Sequence, residues 1–289
     1  MRLKQLMRDA SVAVARPIGF LEYLFRRTDT SGDIFPTDSS SGVVPGVNPE
    51  RIIVLGESTA VGLGMLTHEL GLAGHLARQY QVRTGRGVEW STMGLPDRKL
   101  RSAPALIGDR TARENTVFEG TDIVVVMAGI ADTLSLTSAR RWRVQLIATL
   151  DALQRELPAD AHVAVAEIPP MDNAGSISRT ARMAAGAHAR QLNEVTRSVI
   201  AQRTGASSIP FPQELTRSLW KPESQQASYL RMYTIWATGI LEGLGVESER
   251  HGFIPQLADD PETTGTLSET LAVADAADPT PVVVPTPTA

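Results

Sequence analysis

The stretch VLGESTAVGLG, residues 54–64, holds the side chain best placed for covalent chemistry. An apolar run from Ile52 to Leu55 ends at Gly56, and Ser58 stands where the chain must turn from strand into helix. A serine there can be a nucleophile, because its hydroxyl and amide would sit at a helix N-terminus, where a developing oxyanion is favoured. Serine is also a common helix N-cap, so Gly56-Glu57-Ser58 alone leaves nucleophile and cap both open. Ligands of an open parallel sheet bind at the carboxyl ends of its strands, which directs attention to the loops after Leu55, Thr92, Ala128 and Ile168. The second of these holds Gly94, which allows close backbone approach and offers an N–H, although a turn glycine needs no such role. The third runs from Gly129 to Thr133 and carries Asp132. The fourth, Pro169 to Asn173, is stiffened by its prolines and carries Asp172. Asp132 and Asp172 are the pocket candidates.

The elements that must position these residues alternate along the chain. RIIVL (51–55) reads as a buried strand, Val61 to about Arg83 as a helix with an apolar face including Leu63, Leu66 and Leu70, and VEWST (88–92) as a second strand. A helix from Asp97 to Arg113 follows, then DIVVVMAG (122–129), apolar enough to be buried on both faces. Further on come a helix from Ser138 to Glu156, the strand AHVAVAEIPP (161–170), a long helix over 177–203, a weak strand SSIPF (207–211) and a last helix over 224–244. Five alternations of strand and helix predict a five-stranded parallel sheet with helices on both faces, a three-layer α/β/α sandwich.

Around that domain, assigned to residues 50–245, the composition changes. Residues 1–27 are amphipathic: Leu3, Leu6, Met7, Val12, Val14, Ile18, Leu21 and Leu24 recur among Arg2, Lys4, Arg8, Arg16, Arg26 and Arg27. Such a helical extension suits a peripheral membrane or partner contact, and equally a helix that packs on its own domain. Asp9 and Arg16 interrupt any apolar core and no cleavage pattern follows Phe25, so the segment is expected to be retained rather than removed as a signal peptide. Residues 28–49, rich in Ser, Gly, Pro and Asp, read as a linker or surface loop, and 246–289 as a disordered acidic tail ending in a Pro/Thr spacer. With a net charge of -4 in 289 residues and no broad basic excess, the chain carries no nucleic-acid footprint. The absence of cysteine removes disulfides, thiolate catalysis and thiolate metal sites together. No run of about 18 apolar residues occurs, so no membrane span is expected. The expected location is cytoplasmic, peripheral to a membrane if residues 1–27 bind one, and nothing in the sequence fixes an oligomeric state.

In their order and spacing these blocks resemble the SGNH/GDSL hydrolases, a family of serine esterases and lipases. Gly56-Glu57-Ser58 looks like its GDS block, Gly94 like its glycine block, and AGIADTLSLTSARRWR (128–143) like the GxND block with the segment that follows it in actinobacterial-type members. Glu167-Ile168-Pro169-Pro170 and Tyr233 to Ala237 fit the later blocks. The resemblance covers about residues 50–245 and implies a flavodoxin-like SGNH hydrolase fold. It further implies a small acyl- or acetyl-ester substrate, Ser58 as nucleophile, the Ser58 and Gly94 amides as oxyanion hole, and no cofactor or metal. The departures are as informative. Counting back from Trp236, the family's catalytic Asp falls on Ser224 and its His on Ala227; its oxyanion-binding Asn falls on Ala131, and Glu57 replaces the Asp of GDS.

Whether another histidine replaces the base is left open by the sequence. On a helix from Val61, His68 and His75 would lie about 15 and 25 Å beyond Ser58. His162 opens a strand at the opposite edge, while His188 and His251 sit far along the chain. A carboxylate among Asp97, Asp132, Asp172 and Glu223 would be at best a weak base. Removing the base of a serine hydrolase costs about a millionfold in turnover, and one lost oxyanion donor a further factor of about 10² to 10³. Two expectations follow: an ester hydrolase of weak or absent activity, or a pseudoenzyme that keeps the pocket and serves as a binding or scaffold protein at a membrane or partner. Asp132, Asp172 and His188 have no metal-ligand spacing, and neither a GK[ST] nor a G-x-G-x-x-G phosphate loop is present.

Overall fold

A computed structural model describes residues 34–114, 116–173, 179–218 and 225–246. The amphipathic segment 1–27, Ser224, Glu223, His251 and the acidic tail beyond Val246 lie outside these described residues. In chain order the elements are β1 (Ser41–Val44), β2 (Val47–Gly56), α1 (Leu72–Thr84), β3 (Arg86–Gly94), α2 (Ala103–Arg113), β4 (Ile123–Met127), α3 (Ile130–Leu134), α4 (Ala139–Glu156), β5 (His162–Ala166), α5 (Arg179–Ile200), β6 (Ala206–Ile209), α6 (Leu215–Ser218) and α7 (Gln225–Gly243). Short 3₁₀ turns cover Ser58–Val61, His68–Leu70, Leu100–Ser102 and Met171–Asn173.

The strand order is β1-β3-β2-β4-β5-β6. The five strands from β2 to β6 are parallel, as the buried apolar runs predict, and their order is the flavodoxin-like one. The sheet nevertheless has six strands: β1 pairs antiparallel with β3, Ser41 opposite Ser91 and Val44 opposite Val88. Four residues among Gly, Ser and Pro carry little strand signal, so this edge was hidden in a segment that reads as a linker. Ile52 and Val54 pack on one face with Leu72, Leu76, Tyr233 and Trp236. Ile53 and Leu55 pack on the other with Ile107, Trp142, Leu146 and Leu192. The sandwich thus has α1 and α7 on one side and α2, α4 and α5 on the other. Ser138 caps α4 through its side chain, which accepts from the Arg141 N–H.

The expected helix from Val61 begins instead at Leu72. Gly62 and Gly64 take φ of 80° and 83°, where an L side chain is strained, and end the turn that starts at Ser58. Their space is also filled, by Pro36 beside Gly62 and the Tyr229 ring beside Gly64. Residues 62–71 therefore form a loop, in which Leu66 is 62% exposed. Among the described residues no helix is long and apolar enough to cross a membrane.

Gly56 closes β2 between both neighbours, in register with Gly94 of β3 and Met127 of β4. A methyl group there would run into the Met127 carbonyl oxygen and come within 2.9 Å of Ala60 Cβ. Gly56→Ala should lower stability by about 1–3 kcal/mol through overpacking, read as a shift in the urea midpoint. An unshifted midpoint would contradict this crowding.

Candidate active site

Strand order reverses between β3 and β4 on either side of β2, and in doubly wound sheets ligands bind at that switch point. The loops leaving β2 and β4 meet there. The turn from Ser58 begins with Ser58 at φ 51°, a left-handed conformation rare outside glycine. Glu57, not Ser58, occupies the cap position and makes no side-chain cap hydrogen bond, so the helix-cap role for Ser58 does not hold. The Ser58 carbonyl accepts from the Leu63 N–H at 3.1 Å, while its hydroxyl has no hydrogen-bond partner among the described residues. Strain of this kind at a strand-to-helix turn is how nucleophilic serines are presented, and it persists only where the surroundings impose it. The imposition is visible: the Glu57 N–H donates to the Met127 carbonyl at 3.0 Å, and the Tyr233 hydroxyl donates to the Leu63 carbonyl at 2.6 Å.

The side chain of Glu57 crosses the switch point. It is 5% exposed, and its carboxylate accepts the Gly129 N–H at 2.8 Å and the Ala131 N–H at 3.3 Å. Gly129 makes this approach at φ 120°, where a methyl group would lie 2.5 Å from Ile168 Cδ1. Burial pushes the Glu57 carboxyl up to about 7, outweighing the Gly129, Ala131 and Ile130 amides that favour its ionised form. The Ala131 backbone N–H is thus held by Glu57.

Gly94 ends β3 beside the same turn; a methyl on it would lie 3.2 Å from Val61 Cγ1. Between the ends of β2, β4 and β5 lies a cavity of about 10 Å³ reached by Glu57, Thr59, Ile130, Glu167, Pro169 and Trp236. That volume suits about one water molecule. Thr59 carries no motif of its own, and Glu167 and Trp236 stood out in the sequence only as parts of later blocks; the order of the strands brings the three together here. Asp132 and Asp172 do not line this cavity. The buried Asp132 carboxylate accepts from the Leu100 N–H at 3.0 Å and from the Thr137 hydroxyl at 2.7 Å, a bracket between two loops. Asp172 pairs with Arg190 at 2.6 Å, and Asp97 with Arg101 at 2.6 Å. Ala227 falls at the start of α7, where its backbone is helical.

The four histidines among the described residues are engaged elsewhere. His188 Nε2 donates to the Thr137 carbonyl at 2.8 Å. His162 Nε2 meets the Ser207 hydroxyl at 2.9 Å, and burial holds its pKa below the usual value. His75 stacks on Tyr233 with ring centroids 6.3 Å apart, and burial pushes its pKa down to about 4. His68 stands not along a helix but in a 3₁₀ turn, its Nδ1 2.8 Å from an Asp38 carboxylate oxygen. Asp38 belongs to residues 34–40, which lie along the loops leaving β2 and β3: Ile34 accepts from the Gly64 N–H at 2.7 Å, Ser40 from the Thr92 N–H at 2.8 Å, and Arg98 Cζ lies 5.8 Å from the Phe35 ring.

The Glu57 shift has a stability consequence. Between about pH 4.5 and 7 folded Glu57 holds a proton that the unfolded chain has released, so this group's stabilising contribution is present below pH 4.5 and is lost as pH rises to about 7. His75 acts with the opposite sign below its ordinary pKa, so the comparison must be with Glu57→Gln, which keeps a carbonyl acceptor and cannot titrate. The stability of the parent relative to Glu57→Gln should fall by up to about 3 kcal/mol across that window, measured by urea unfolding. A pH-independent difference would overturn the assignment.

The sequence model of the GDSL-like Lipase/Acylhydrolase family matches residues 54–233. Among solved structures, "Crystal Structure of TesA" is similar over 68% of this chain and 98% of that one, at 17% identity and a TM-score of 0.51, a likeness of fold. The psychrotrophic esterase EstA from Pseudoalteromonas sp., inhibited there by monoethylphosphonate, covers 68% of this chain and 97% of its own at 15% identity, TM-score 0.46. An extracellular lipase from Streptomyces rimosus covers 68% and 97% at 20% identity, TM-score 0.43. No curated protein matches the sequence. A family match spanning residues 54–233, on a sheet whose strand ends carry the blocks in their expected order, means that this chain belongs to the GDSL-like lipase/acylhydrolase family, the SGNH hydrolases.

Proposed function

We propose that this chain is a divergent serine ester hydrolase in which acyl- or acetyl-ester hydrolysis through Ser58 is weak or lost. The observation that carries the proposal is Ser58 itself: it is held at φ 51° at the switch point, in the turn that leaves β2, yet its hydroxyl has no basic partner among the described residues. The strained turn keeps the geometry of a nucleophile, while proton removal lacks an agent. Without a base the reaction falls by about a millionfold, and what survives is the contribution of the oxyanion amides and of binding, about 10³ to 10⁴ over water. The amides of Ser58 and Gly94 are assigned as that oxyanion hole.

A second function is supported by Glu57. With the Ala131 amide engaged by a buried carboxylate, the loop after β4 is braced rather than open to a substrate oxyanion, which suits a pseudoenzyme that binds or scaffolds at a membrane or protein partner. Hydrolysis of p-nitrophenyl acetate separates the two. The first reading expects release no more than about 10³ to 10⁴ above the buffer rate, abolished by Ser58→Ala. Turnover near an ordinary enzyme's value of about 10 per second would contradict weakened catalysis. A rate retained in Ser58→Ala would remove Ser58 as nucleophile, and no rate above buffer would leave the binding role.

A further inference from the structure

We propose that Arg98 anchors an anionic group, a carboxylate or a phosphate, on the ligand that occupies the Ser58 site. Its place is set from both ends of the turn that carries Ser58. Ahead of that turn, the Leu95 N–H donates to the Gly56 carbonyl at 2.8 Å, and the Arg98 N–H closes back onto the Leu95 carbonyl at 3.1 Å. Behind it, Pro36 packs where a side chain on Gly62 would stand, and the ring of the preceding Phe35 lies 5.8 Å from Arg98 Cζ. The Ser58–Val61 turn is therefore flanked at one end by the Arg98 loop and at the other by the partner of its side chain.

Arg98 stands at φ 58°, a conformation that glycine adopts freely and a residue with a side chain does not. Strain of this kind persists only where the surroundings impose it, and it collects at ligand contacts. The guanidinium rests over the face of the Phe35 ring, which leaves the N–H donors of its plane unused. Among the described residues no oxygen accepts a hydrogen bond from it. A planar fork of donors without an acceptor matches a carboxylate or phosphate, to which it can donate twice.

The charge around Arg98 favours the same ligand. Because β2 to β6 run parallel, the loops after β3, β4 and β5 and the helix starts that follow them share the carboxyl edge with Ser58. They carry Arg98 and Lys99, Arg140 and Arg141, and Arg179 and Arg182. The acids of these segments are each taken up: Asp97 by Arg101, Asp172 by Arg190, Glu167 by Arg197, and Asp132 in its buried bracket. Arg140, Arg141 and Arg182 pair with no carboxylate among the described residues. An edge with one sign of charge in excess concentrates the opposite ion, and Arg98 supplies the directed contact. That the anion belongs to an ester rests on the ester-hydrolase proposal, whereas the anion contact itself does not.

The test is an NMR titration of the isotope-labelled full chain with monomethyl succinate, methyl phosphate and the neutral dimethyl succinate, read at the backbone amides of Gly94, Leu95 and Arg98. One anion at least should bind about tenfold or more tightly than the neutral diester, the worth of a charge-assisted hydrogen bond, and the better of the two identifies the group. Arg98→Gln should abolish that preference. Arg98→Lys, which keeps the charge without the fork, should retain part of it, and it serves as the second variant if glutamine at φ 58° lowers the urea midpoint. Equal affinity for neutral and anionic ligands, or a preference that survives in Arg98→Gln, would overturn the proposal. So would an equal loss of all three ligands in Arg98→Gln, since Arg98 would then only pin residues 34–40. Binding is read without turnover, so this proposal and the ester-hydrolase proposal fail separately.

Discussion

One buried carboxylate organises the functional edge of this protein. Glu57 leaves the end of β2, crosses to the loop after β4 and accepts the Gly129 and Ala131 amides. A charged or half-charged group in an apolar setting is tolerable only when its oxygens are satisfied, and here the donors are main-chain groups fixed by the sheet. The positions of Gly56, Gly129 and Ser58 then follow as a set: Gly56 admits the Met127 carbonyl, Gly129 turns its amide inward at φ 120°, and the residue after Glu57 is left in a left-handed turn. The main-chain N–H of Glu57 ties the turn to Met127, and its carboxylate occupies the Ala131 amide.

Much of the fold was legible because parallel strands buried on both faces must be apolar throughout. Ile52 to Leu55, Ile123 to Met127 and Val163 to Ala166 announce themselves, and with the intervening helices they leave few topologies. What escaped is explained by contacts distant in sequence. Ser41–Val44 is a strand only because β3 offers an edge to it. The helix expected from Val61 fails because Gly62 and Gly64 are needed at positive φ to receive Pro36 and Tyr229; the glycines were visible, their partners were not. Leu66 and Leu70 fit the apolar face of that unformed helix, and the loop leaves them at the surface instead.

At the site, sequence singled out Ser58 and Gly94 as candidates but gave no hint of the contacts that Glu57 makes. A Glu in place of an Asp reads as a conservative change, and only the extra reach of its side chain to Gly129 and Ala131 shows it to be a brace. Asp132 and Asp172 were singled out for lying in the right loops, yet each satisfies a local partner, because a carboxylate in a loop is as useful for tying backbone together as for catalysis. The distance assigned to His68 depended on a helix that does not form; its partner, Asp38, lay in a segment without any motif.

Whether Ser58, held at φ 51° in the turn after β2, is activated can be tested by covalent labelling without knowledge of the substrate. Intact-mass measurement after exposure to a fluorophosphonate probe, with Ser58→Ala as control, would report it directly. The account predicts no adduct on the folded protein under conditions that fully label an active serine hydrolase. A prompt single adduct, lost in Ser58→Ala, would contradict it, since some group would then be taking the Ser58 proton.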